Sequence, residues 1–169
     1  MGIARSQVYI GVVGPDPAPH DVARQAEEVG RRLAQAGAVL VCGGLGGVME
    51  AAARGAAAEG GTSIGLLPGL SREAANPHLT FSIPTGMGEM RNVLVVRSSD
   101  AVIALAGEFG TLSEIAFALK TDVPVVGLET WELAKSGKRV EPFVMAQSPE
   151  EAVREVLRLA EEAKGTTGP

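Results

Sequence analysis

Arg91 and Glu114 are the residues of this chain whose types and surroundings best support chemistry, and two glycine-rich runs accompany them. One is Cys42-Gly-Gly-Leu-Gly-Gly47; the other is Gly107-Glu-Phe-Gly-Thr-Leu-Ser-Glu114. Both fall where an apolar run gives way to a helical pattern, so backbone N–H groups and a helix N-terminus can face an anion without interference from side chains. Phosphate is the natural guest of such loops. A carboxylate at Glu114 can stabilise an oxocarbenium-like state and activate water, as glycoside cleavage requires. A guanidinium at Arg91 can orient the phosphate or the departing base.

Each of these residues also has a structural reading. Thr111-Leu-Ser-Glu114 matches Thr-x-x-Glu, a capping box in which the glutamate bonds back to the start of its own helix, and Ser148-Pro-Glu-Glu151 repeats that grammar with no chemistry in view. On local pattern alone the cap is the commoner fate for Glu114. A solvated or ion-paired position is the commoner fate for Arg91. The glycines can equally serve a tight turn and close helix packing.

Other chemistries are disfavoured. The first glycine run departs from G-x-G-x-x-G because Met49 interrupts it, and the strand offers no acidic residue to hold a ribose, which argues against a nicotinamide dehydrogenase. Ser136-Gly-Lys-Arg139 is no Walker A loop, with Glu132 in place of its first glycine and Arg139 in place of Ser or Thr. His20 and His78 have no cysteine or carboxylate cluster at metal-ligand spacing, so neither a metal site nor a resident cofactor is expected. Cys42, the single cysteine, reads as a small buried apolar residue.

The elements that must position these residues follow from periodicity. Val8–Val13, Ala38–Cys42, Thr62–Leu67 and Asp100–Leu105 are short apolar runs ended by glycine or proline, as strands buried on both faces are. A helix capped by Asp21 runs to Gly37, a small-residue helix follows Gly47, and Gly86 to about Ser98 reads as a third. Thr111–Lys120 reads as another helix and Ser148 to about Ala163 as the last. Residues 69–79 read as a loop, a short strand lies near Thr80–Ile83, and a less regular stretch holds Trp131. Strands alternating with helices predict an α/β, Rossmann-like parallel sheet with helices on both faces in a single domain, residues 1–164, with a frayed tail at 165–169. Ligands of such sheets sit beyond the carboxyl ends of the strands, where the glycine runs fall.

The chain has 169 residues, a net charge of −5 and no Lys/Arg run, which disfavours nucleic acid as a partner. No apolar run reaches the ~18–20 residues that a membrane span needs. With one cysteine and no secretory pattern at residues 1–7, the expected compartment is the cytoplasm.

Val39-Leu-Val-Cys-Gly-Gly-Leu-Gly-Gly-Val-Met49, Met90-Arg91-Asn92 and Gly107-Glu-Phe-Gly-Thr-Leu-Ser-Glu114 together resemble the Lonely Guy family of phosphoribohydrolases. That family was long mislabelled as lysine decarboxylases and is related to molybdenum-cofactor carrier proteins and DNA-processing protein A. The resemblance implies catalytic roles for Arg91 and Glu114. It implies phosphate or nucleotide binding by Gly14, Gly43, Gly44, Gly46, Gly47, Met49, Gly107, Gly110 and Thr111, and a homodimer or larger homo-oligomer. Asn92 stands where the family has lysine, Ala106 where it has proline and Glu108 where it has a second glycine, departures closer to the carrier-like branch. The leading expectation is hydrolysis of a nucleoside 5′-monophosphate to free base and ribose 5-phosphate. The alternative is a carrier or sensor of a pterin-type phosphate ligand, such as molybdenum cofactor, or of a signalling nucleotide.

Overall fold

The structure is a computed structural model that describes residues 7–166. Its elements, in chain order, are β1 (Tyr9–Val13), α1 (His20–Gln35), β2 (Val39–Cys42), α2 (Gly47–Ala58), β3 (Ser63–Leu67), β4 (Phe81–Pro84), α3 (Asn92–Arg97), β5 (Ala101–Leu105), α4 (Phe109–Lys120), β6 (Val125–Leu128), β7 (Leu133–Lys135), β8 (Lys138–Val140), β9 (Val144–Ala146) and α5 (Pro149–Thr166). Seven strands form one sheet in the order β4-β3-β2-β1-β5-β6-β9. Every neighbouring pair is parallel, with Ile10 opposite Leu40 on one side of β1 and opposite Ala101 on the other.

Helices cover both faces, the Rossmann-like arrangement that the alternating pattern predicts. On one face Ile10, Leu40, Ile103 and Leu128 pack with Val29 and Leu33 of α1, Val48 and Ala52 of α2, and Val156 of α5. On the other, Val13, Val41, Val102 and Val125 meet Val95 and Val96 of α3 and Ile115 and Ala118 of α4. Strands enclosed on both sides carry no polar alternation, which is why β2 and β5 are apolar and buried at every position.

α1 and α2 approach closely enough that glycine is required at the contact. A Cβ at Gly30 would fall on the carbonyl of Ala52, and one at Gly55 on the carbonyl of Glu27. The two glycines make reciprocal contacts that draw α2 against its neighbour and so set where its amino end lies.

Three local expectations are corrected. The segment predicted as one helix from Gly86 is a 3-10 turn, Gly88–Arg91, followed by the short α3. Gly86 and Gly88 have φ of 66° and 56°, left-handed values that an α-helix does not admit. The irregular stretch around Trp131 contains a hairpin, β7 paired antiparallel with β8. Its two-residue turn places Ser136 at φ 53° and Gly137 at φ 76°, the primed geometry suited to twisted strands. α1 begins one residue before its expected cap, with Pro19 at the N-cap and Asp21 in the first turn. α5 extends to Thr166, and the remainder of the predicted tail lies outside the described residues, as do residues 1–6. Among the described residues no helix is long and apolar enough to cross a membrane.

Candidate functional site

Strand order reverses direction at the β1–β5 pair, since the chain moves outward from β1 through β2, β3 and β4 and then returns to β5 on the other side. The loops after β1 and β5 consequently diverge and leave a cleft of about 830 Å³. Val13, Gly14, Pro15 and Asp16 line it from β1, Gly43, Leu45 and Met49 from the first glycine run, and Arg91 and Asn92 from the 3-10 turn and α3. Glu108, Phe109, Gly110, Thr111, Glu114 and Phe117 line it from α4 and its approach. The fold thus brings Arg91 and Glu114, predicted from distant segments, to one cavity.

Glu114 reaches the cleft because α4 starts earlier than its local pattern indicates. The N-cap is Glu108, and Thr111 lies inside the helix. The Thr111–Glu114 pair is therefore not a cap. Ser148–Glu151 is one: the Glu151 N–H donates to Ser148 Oγ at 3.2 Å, and the Gln147 N–H donates to Glu151 Oε2 at 2.8 Å. The same four-residue grammar yields a helix cap at one site and an inward carboxylate at the other, and the difference is a helix start displaced by two residues.

Glu114 is 7 % exposed and Arg91 8 %. Burial pushes the Glu114 carboxyl up to about 7, with the positive charge of Arg91 pulling the other way. Burial likewise lowers the Arg91 guanidinium from its ordinary value, with Glu114 opposing that shift. Arg91 donates from Nη1 to Asn92 Oδ1, while its buried Nε has no partner. A buried donor without an acceptor costs free energy. Asn92 thus has a defined task, bracing Arg91.

The guanidinium lies directly over Gly43. A Cβ there would stand 2.5 Å from Nη2 and 2.7 Å from Cζ of Arg91, and 2.7 Å from Sδ of Met49. Cys42, immediately before, is fully buried, and burial pushes its thiol up to about 11, so it stays protonated and serves as packing. Met49 is buried and lines the cleft at the same point.

The glycines divide by location. Gly14, Gly43 and Gly110 line the cleft. Gly44, Gly46, Gly47 and Gly107 are absent from its lining and meet other parts of the chain. A Cβ on Gly44 would stand 2.8 Å from Leu67 Cδ2, one on Gly46 2.9 Å from Asp16 Oδ1, and one on Gly107 2.7 Å from Thr111 Cβ. Gly47, at φ 59°, sits under the backbone of Pro15 and Asp16. Thus the first glycine run serves mainly close packing around the start of α2, the structural reading of that motif.

The start of α4 differs. Its N-cap makes no side-chain hydrogen bond, and the first backbone bond there runs from the Leu112 N–H to the Glu108 carbonyl at 3.0 Å. The amides of Phe109, Gly110 and Thr111 precede it, as free donors at a positive helix end. Ala106, before this loop, has φ 45°, which proline, with φ near −65°, cannot adopt. The loop therefore follows a path closed to the proline-led motif that it resembles. Its shape is held by Thr130 Oγ1, which donates to the Ala106 carbonyl, and by Trp131 Nε1, which donates to the Glu108 carbonyl at 3.3 Å. Trp131 also stacks obliquely on Phe109, with ring centroids 5.7 Å apart. Asp16 and Phe109 also line the cleft, and nothing in their local sequence marks them as doing so.

An open parallel sheet flanked by helices, with a buried arginine and carboxylate in the cleft at its switch point, defines a Rossmann-like α/β protein. The chain belongs to the SLOG cluster4 family, whose model matches residues 7–153. It is 42 % identical over 146 residues to an uncharacterized protein of Archaeoglobus fulgidus, covering 86 % of this chain and 92 % of that one. Among solved structures it is similar to the molybdenum cofactor binding protein of Rippkaea orientalis, at 34 % identity and a TM-score of 0.83, covering 92 % and 99 % of the two chains. It is also similar to the molybdenum cofactor carrier protein of Chlamydomonas reinhardtii, at 31 % identity and a TM-score of 0.80, with the same coverage.

Proposed function

We propose that this protein is a cytoplasmic binder of a pterin-type cofactor bearing phosphate, molybdenum cofactor being its cargo, and that it acts without turnover. The carrying observation is the conjunction, in one cleft, of the uncapped start of α4 with Arg91, whose buried Nε lacks a partner. The phosphate would sit on the Gly110 and Thr111 amides, with Arg91 as its counter-charge. The cavity is of the size that small-molecule ligands fill, and Leu45, Met49, Phe109 and Phe117 supply apolar walls for a ring system. A pterin's N–H donors suit carboxylate acceptors, which Glu108 and Glu114 provide. The full-length similarity to two proteins named for binding or carrying this cofactor supports the same reading.

Hydrolysis of a nucleoside 5′-monophosphate is the second reading, favoured by one observation. Glu114 is buried opposite Arg91 and pushed up to about 7, where a carboxyl can serve as base near neutral pH. Against it stands Glu108, a carboxylate lining the cleft where the hydrolases have glycine.

One experiment separates the two. Purified protein is incubated with nucleoside monophosphates, with released base read by chromatography, and separately with molybdenum cofactor, with binding read by thermal shift. Stabilisation by the cofactor and no base release are expected. Base release that vanishes in Glu114→Gln would instead establish the hydrolase. A homodimer or larger assembly belongs to the same proposal, and sizing of the purified chain tests it.

A further inference from the structure

We infer that Asp16 makes the cleft prefer ligands with a single phosphoryl group over pyrophosphates; the inference builds on the phosphate seat proposed at α4. Two helix ends border this cleft, one on each side of the switch point, and the chain treats them differently. At α2 the Gly46 N–H donates to Asp16 Oδ2 at 3.1 Å, and the Val48 N–H donates to the Pro15 carbonyl at 3.0 Å. The loop after β1 is pressed so close that side chains at Gly46 and Gly47 would collide with it. A carboxylate of the protein itself therefore holds the amide at the start of α2, a kind of helix end that could otherwise take a second phosphoryl group.

At α4 no side chain takes that place. The charge around the cavity points the same way. Among the described residues lining it, Asp16, Glu89, Glu108 and Glu114 are acidic, and Arg91 is the one cation. A second phosphoryl group would bring further negative charge to Asp16 and find no second cation to balance it. A phosphomonoester meets the free amides and Arg91 alone. Asp16 thus fills the second anion position, and a phosphomonoester is favoured there over a pyrophosphate-linked ligand.

Amide-resolved NMR titration with inorganic phosphate and with pyrophosphate tests this in the full chain, Asp16→Asn and Asp16→Ala. In the unaltered protein phosphate is expected to move the Gly110 and Thr111 amides, pyrophosphate to do so only at higher concentration, and neither to move Gly46 or Gly47. Removing the charge in Asp16→Asn, which keeps a hydrogen-bond acceptor for Gly46, is expected to raise pyrophosphate affinity about fivefold to tenfold while phosphate changes little. Gly46 and Gly47 then respond to pyrophosphate, and more so in Asp16→Ala. Pyrophosphate that already moves Gly46 in the unaltered protein, or that gains nothing in either variant, overturns the gate while a response at Gly110 leaves the α4 seat intact. Silence at Gly110 with a gain at Gly46 in the variants would remove the seat and keep the gate. Silence at both loops in all three proteins would overturn both.

Discussion

The Arg91 guanidinium rests on the Cα of Gly43, with Nη2 2.5 Å and Cζ 2.7 Å from where a Cβ would be. Both atoms belong to the flexible end of a side chain, so an alanine there displaces Arg91 more than it disturbs the backbone. Gly43→Ala is expected to fold with a stability loss of about 1 kcal/mol and to lose roughly tenfold in affinity for a phosphorylated ligand. Paired chemical denaturation and calorimetric titration would measure the two effects, and equal affinity would show that Arg91 is not held by this contact.

Glu114 makes stability depend on pH. Its carboxyl is raised from 4.5 to about 7 by burial, so between those values the folded protein holds a proton that the unfolded chain releases. Stability therefore falls as pH rises through that window, by up to about 3 kcal/mol. Glu114→Gln cannot ionise and should be the more stable protein at pH 8, with a flatter profile. Denaturation midpoints at pH 5 and pH 8 read this directly; parallel profiles for the two proteins would contradict it.

Arg91→Ala removes the charge that opposes burial at Glu114. The carboxyl should then titrate higher than in the parent protein, visible in its carbon chemical shift across pH. Phosphate binding should weaken about tenfold or more, because a charge-assisted contact is lost. Retained affinity would place the anion elsewhere.

Trp131 is the single tryptophan of the chain and donates to the Glu108 carbonyl at the N-cap of α4. Ligand seated at this helix end should change its emission saturably. The midpoint should move to higher concentration in Arg91→Ala, and emission indifferent to a ligand shown to bind by calorimetry would put the ligand away from α4.

The reciprocal glycines between α1 and α2 offer a structural control. Gly30→Ala and Gly55→Ala each force a methyl onto a backbone carbonyl, which cannot yield as a side chain does. Each should cost about 2 kcal/mol or more. Thermal unfolding checks it, and a midpoint within a degree of the parent would mean the helices separate freely.

The alternation of apolar strands with helices was enough to read the α/β class, because burial on both faces leaves β2 and β5 with no polar residue, and so the end of the sheet at which the cleft opens. Less was legible between Gly86 and Ser98, where left-handed glycines stop a helix that the apolar spacing alone would continue. The hairpin after Trp131 was missed because each of its strands has only three residues.

Residue type and order determined that Arg91, Glu114 and two glycine runs were the places to look, since glycine at a strand end and a carboxylate near a helix start have few physical meanings. They could not determine which of the two helix starts another segment of the chain covers. That was decided by tertiary structure: the loop after β1 lays Asp16 on the start of α2, while α4 begins at Phe109 and turns Glu114 inward. Contacts between segments 30 residues apart, and a helix start displaced by two residues, depend on how the whole sheet packs and leave no mark on either segment alone.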